Sequence, residues 1–82
     1  MEYRYDTQLL IESNDLNEDV IIDYFNKNFD GDCLLVVGGG PLVKVHYHTN
    51  EPWRVLEYCA SLGEIYDIVI EDMVRQSHGL QG

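Results

Sequence analysis

Val43-Lys44-Val45-His46-Tyr47-His48-Thr49-Asn50-Glu51-Pro52 begins as a strand and ends as the start of a helix. Side chains on a strand alternate between its two faces. Val43, Val45 and Tyr47 therefore point one way, and Lys44, His46 and His48 the other. The apolar set needs a core. The other set places two imidazoles side by side on a face open to water. Two histidines at i and i+2 of one strand can converge on a metal ion or an anionic group. From spacing alone the plainer reading stands first: two solvated or hydrogen-bonded imidazoles with no ligand. Thr49 and Asn50 offer side-chain oxygens to cap the helix that follows, and Pro52 fits its first turn.

On its N-terminal side, Gly38-Gly39-Gly40-Pro41 joins this strand to CLLVV, residues 33–37, a second strand apolar on both faces. The glycine run lacks the spacing, the Lys-Ser/Thr pair and the following helix of a phosphate-binding loop, so it reads as a hairpin connection. Residues 3–12, YRYDTQLLIE, form the first strand, with Tyr5, Thr7, Leu9 and Ile11 on one face and Arg4, Asp6, Gln8, Leu10 and Glu12 on the other. Asn17 caps a helix running to about Asn28, with Leu16 and Ile21 as its hydrophobic staple and Val20, Ile21, Tyr24 and Phe25 as its apolar stripe. The acids Glu18, Asp19 and Asp23 read as a solvated face. Residues 51–62 form a second helix with Val55, Leu56, Cys59 and Ala60 inward, stopped by Gly63. Trp53, ahead of that stripe, should be at least partly exposed. EIYDIVIE, residues 64–71, is the last strand, with Tyr66, Ile68 and Ile70 on one face and Ile65, Asp67 and Val69 on the other. Arg75 to Gly82 shows no apolar period, so a single domain over 1–74 is expected, with 75–82 a flexible tail or linker.

The 82 residues suffice for one small domain with thin stability. Five basic against 15 acidic side chains give a net charge of −10, which repels phosphate backbones and anionic membranes. No nucleic acid and no membrane insertion is expected. Cys33 and Cys59 each lie in a mostly apolar run and read as buried, reduced thiols. The polar start is no signal peptide, and the expected location is the cytoplasm.

The order β-α-β-β-α-β is that of the α+β, ferredoxin-like sandwich, two helices on one face of a four-stranded antiparallel sheet. It predicts the sheet order 4-1-3-2, with residues 3–12 beside residues 42–49 at the centre. Val43, Val45 and Tyr47 then lie under the helices with Tyr5, Thr7 and Leu9. Asp6, Gln8, Lys44, His46 and His48 share the open face.

The run LVKVHYHTNEPWRVLEY, with the later IVIEDMVRQ, resembles the middle domain of the bacterial fatty-acid kinase A subunit, a family labelled dihydroxyacetone-kinase-related. That domain typically reads close to VKVHVHTNDPGKVLEYA and then I-x-I-x-N-M-x-x-Q. RYDTQLLIE sits where the family has GYCTEFILE, so the likeness spans nearly the whole chain. The histidine motif is fairly specific, whereas the flanking elements are not. The resemblance implies a domain placed between an ATP-binding kinase domain and a DegV-type fatty-acid-carrier-like domain. It also implies a cysteine and two histidines that bind zinc and are tied to phosphoryl transfer. The histidines match His46 and His48, as ligands or catalytic proton carriers, and the cysteine position is held by Asp6. An Asp6-His46-His48 set binds zinc without the thiolate's affinity, or a harder metal more weakly. Gln8 or Lys44 would stand behind the ligands, and His78 is a candidate fourth ligand. No counterpart of the kinase domain is read in these residues. No nucleotide site is therefore expected, and the domain should not phosphorylate anything alone. The expected partners are a kinase domain or a DegV-type fatty-acid-binding protein on a separate chain, or a second copy. The competing reading is a non-catalytic interaction or dimerisation domain with a degenerate metal site.

Overall fold

The computed structural model describes residues 2–82. Strand β1 spans Tyr5–Glu12, helix α1 Glu18–Asn28, strand β2 Gly31–Gly39, strand β3 Leu42–Thr49, helix α2 Pro52–Leu62, strand β4 Glu64–Asp72 and helix α3 Met73–Ser77. The four strands form one antiparallel sheet in the order β2-β3-β1-β4. This is the predicted ferredoxin-like arrangement, with β1 and β3 at the centre. Residues 75–77, assigned from the sequence to a tail, lie inside α3, which Asp72 caps through Arg75 N–H at 3.0 Å.

Alternation places the core as expected. Leu9 and Ile11 of β1 and Val43, Val45 and Tyr47 of β3 are buried together with Ile21, Phe25, Val36, Val55 and Cys59. The Phe25 ring stands edge-on to Tyr47 and to Phe29, with centroids 5.0 Å apart in each pair, an arrangement aromatic quadrupoles favour. The stripes of both helices are narrower than the sequence suggests. Val20 is 61% exposed, since only Ile21 and Phe25 on α1 reach the centre of the core. Ala60 is exposed, and Trp53 lies open at the start of α2 as predicted.

Two local expectations are corrected. Neither Thr49 nor Asn50 caps α2 through its side chain. The Thr49 hydroxyl donates to Asp30 O and accepts from Glu51 N–H, while Asn50 Oδ1 accepts from Arg4 N–H at 2.8 Å. These residues tie the end of β3 to the chain on either side. Glu18 likewise serves as more than a solvated acid, because its carboxylate accepts the Gly38 N–H at 3.0 Å and holds the hairpin to α1.

The larger correction concerns two bulges. In β2, Asp32 pairs with His48 and Leu35 with His46, so Cys33 and Leu34 together oppose Tyr47. In β4, Tyr66 pairs with Leu10 and Val69 with Gln8, so Asp67 and Ile68 together oppose Leu9. The first residue of each bulge takes a left-handed backbone, Cys33 at φ 53° and Asp67 at φ 51°, which an L side chain adopts only under constraint. Each bulge reverses strand parity. Ile65 and Ile70 therefore share the helix side, and Tyr66 and Val69 the open side, contrary to the simple alternation read for residues 64–71. Cys33 is exposed, not buried, whereas Cys59 is buried as expected. Burial pushes the Cys59 thiol up to about 12.

Candidate metal centre on the open sheet face

The open face is a grid set by the strand registers. One row across it reads Asp32, His48, Asp6, Glu71. The next reads Leu35, His46, Gln8, Val69, and the third Val37, Lys44, Leu10, Tyr66. The histidines thus stand on the central strand β3 with Asp6 and Gln8 facing them from β1. All three predicted ligands are partly shielded, at 21% side-chain exposure for Asp6, 26% for His46 and 21% for His48.

Their donor atoms converge. His46 Nε2 lies 3.2 Å from His48 Nε2, and Asp6 Oδ1 lies 3.5 Å from the first and 3.8 Å from the second. Four-coordinate zinc with bonds of about 2.0–2.2 Å sets its ligand atoms about 3.3–3.6 Å apart. The triangle therefore fits that ion with only a small contraction. Gln8 behind it donates its amide to both carboxylate oxygens of Asp6, at 3.5 and 3.4 Å. A group so placed would orient the carboxylate toward an ion held by Asp6, His46 and His48. Lys44, the other supporting residue foreseen, stands one row away. It lines a cavity of about 160 Å³ with Gln8, Leu9, Leu10, Asp67 and Val69. His78 ends α3 and joins neither group of converging ligands among the described residues.

Asp32 and Cys33 were missed as site residues in the sequence. Asp32 Oδ1 lies 3.5 Å from His48 Nδ1. Asp32, Cys33 and His48 have ligand atoms within 4.8 Å of one another, as do Asp6, His46 and His48. Partial desolvation, with Asp32 beside it, holds the Cys33 thiol above its ordinary value, and coordination to a cation would reverse that. The only sequence signal was an aspartate and a cysteine opening an apolar strand. Their position beside His48 depends on the bulge, which periodicity does not reveal.

Residues 2–80 match the family of FakA-like middle domains, named for a polypeptide of fatty acid kinase. The chain belongs to this family. Protein YloV of Bacillus subtilis (strain 168) is 32% identical over 80 residues, which cover 95% of this chain and 14% of YloV. An uncharacterized protein of Staphylococcus aureus (strain USA300) is 42% identical over 48 residues, 58% of this chain and 9% of its own length. A protein of strain NCTC 8325 gives the same figures. The chain therefore spans only a small part of the length of these relatives. No helix among the described residues is long and apolar enough to cross a membrane.

Proposed function

We propose that this domain is an accessory module of a cytoplasmic fatty-acid kinase system, in which Asp6, His46 and His48 hold a zinc ion or move a proton beside the phosphoryl-transfer site. The observation that carries this reading is the 3.2 Å separation of the two Nε2 atoms with the Asp6 carboxylate closing the triangle. Zinc bound there would supply Lewis-acid polarisation of a phosphoryl oxygen or an activated water at an open coordination position. The chain's own contribution is placement. Two adjacent strands fix the three donors, Gln8 fixes the Asp6 carboxylate, and the shielded sheet face lowers the local dielectric. Both imidazoles must be neutral to bind a metal, so affinity falls as pH falls and protons compete for their lone pairs. The partners this reading requires are a kinase domain and a DegV-type fatty-acid-binding protein. Phosphorylation needs those units, and the domain alone has no turnover.

A second reading, a non-catalytic interaction or dimerisation domain, is favoured by the exposed apolar side chains on the same face, Leu35, Val37, Leu42 and Val69. Zinc titration by calorimetry separates the two. Binding to wild type that is abolished in His48→Ala, weakened in His46→Ala and tightened in Asp6→Cys is the expected result. Binding unchanged in both alanine variants overturns the site. No binding to wild type, with tight binding to Asp6→Cys, establishes the interaction domain instead.

A further inference from the structure

We infer that the β2 bulge builds a second seat for a soft divalent cation, formed by the Cys33 thiolate, the Asp32 carboxylate and Nδ1 of His48. The seat needs neither Asp6 nor His46, so it stands or falls apart from the function proposed above. Three features converge on it. The bulge adds a residue to β2 opposite Tyr47, and Cys33 at φ 53° is thereby turned out of the apolar run in which it lies. Cys33 sits in an exposed position next to Asp32, which faces His48 across the strand pair. The imidazole of His48 is then flanked on both nitrogens: Nε2 by His46 and Asp6, Nδ1 by Asp32 at 3.5 Å. That spacing is close to the edge of a tetrahedral zinc site, whose nitrogen and oxygen ligands lie about 3.4 Å apart.

A neutral imidazole has one lone pair. His48 therefore serves one seat at a time, through Nε2 in one tautomer and Nδ1 in the other. The two clusters are alternative positions for a single ion some ångströms apart on one face. Their donors differ in kind. The first offers one oxygen and two nitrogens, and the second offers sulfur, nitrogen and oxygen. Thiolate favours zinc and other soft cations over magnesium and calcium, so the bulge returns to this face a sulfur donor on the strand opposite the one that carries Asp6. On binding, the thiol proton passes to solvent.

Cobalt(II) is the probe, because a cobalt–thiolate bond gives a charge-transfer band in the near ultraviolet that nitrogen and oxygen ligands do not. Cobalt is titrated, under a non-thiol reductant, into wild type and into the Cys33→Ser, His46→Ala, Asp6→Asn and His48→Ala variants. The expected result is a band in wild type that is lost in Cys33→Ser and His48→Ala and kept in His46→Ala and Asp6→Asn. Absence of the band in wild type overturns the inference. So does its survival in Cys33→Ser, which would place the sulfur at Cys59. Loss in His46→Ala or Asp6→Asn also overturns it, because the thiolate would then belong to one centre with those ligands. Zinc calorimetry on Cys33→Ser, where only the first cluster remains, reads the two proposals separately. Absence of binding there, with the wild-type band intact, counts against Asp6-His46-His48 and leaves the second seat standing.

Discussion

His48 is the residue on which both groups of donors turn. Its place follows from strand parity alone: two residues beyond His46, one short of the buried Thr49, and opposite Asp6 in register. Thr7, the neighbour of Asp6 on the helix side of β1, shows the cost of the same alternation. It is fully buried, and its Oγ1 has no hydrogen-bond partner among the described residues. A buried hydroxyl without a partner costs about 1–3 kcal/mol. Thr7→Val keeps the shape and removes that cost, so it should stabilise the domain by about 1 kcal/mol. Urea unfolding followed by circular dichroism reads the change, and a lower midpoint would mean that the hydroxyl is satisfied.

The elements most legible in the sequence were those whose period is unbroken. β1, α1, β3 and α2 follow their apolar patterns within a few residues, and the register that brings Asp6 to His48 follows from the topology. β2 and β4 were legible as strands but not as faces. A bulge adds one residue and reverses the parity of everything beyond it, and neither Cys33 nor Asp67 is the glycine that would have marked one. Hence Cys33 was expected inside, and Asp32 was not recognised as a neighbour of His48. The junction of β4 and α3 was hidden for another reason, since a single capped turn carries no periodicity. Asp72 organises that junction. It accepts from Arg4 Nε at 2.9 Å, pairs with Arg4 Nη2 at 2.8 Å, and caps α3. The Arg4 guanidinium, aided by the backbone N–H groups of Arg75 and Val74, holds its carboxyl below the usual value of 3.8. A carboxyl depressed on folding contributes stability in full above the unfolded value and loses it as pH falls through the folded one. Thermal melting should therefore weaken below about pH 4, and Asp72→Asn should flatten that part of the profile. An unchanged acid slope in the variant would assign the loss to other carboxyls.

At the scale of the whole molecule, the helices and the site divide the sheet between them. One face carries the core beneath α1 and α2, and the other carries the polar row of Asp32, His48, Asp6 and Glu71 beside rows that are increasingly apolar. With a net charge of −10, the molecule presents its donors in a field that draws cations. The exposed apolar side chains Leu35, Val37 and Val69 lie next to them on the same face. Small domains gain much from any ligand that binds only the folded state, so a cation on this face would also stabilise the fold. Both proposed seats hold the cation through His48. Anomalous diffraction at the zinc absorption edge from zinc-soaked crystals locates the ion. The expected map has a peak within bonding distance of a His48 ring nitrogen, shared with Asp6 and His46 or with Asp32 and Cys33. A zinc peak bound elsewhere, with none against His48, would contradict it.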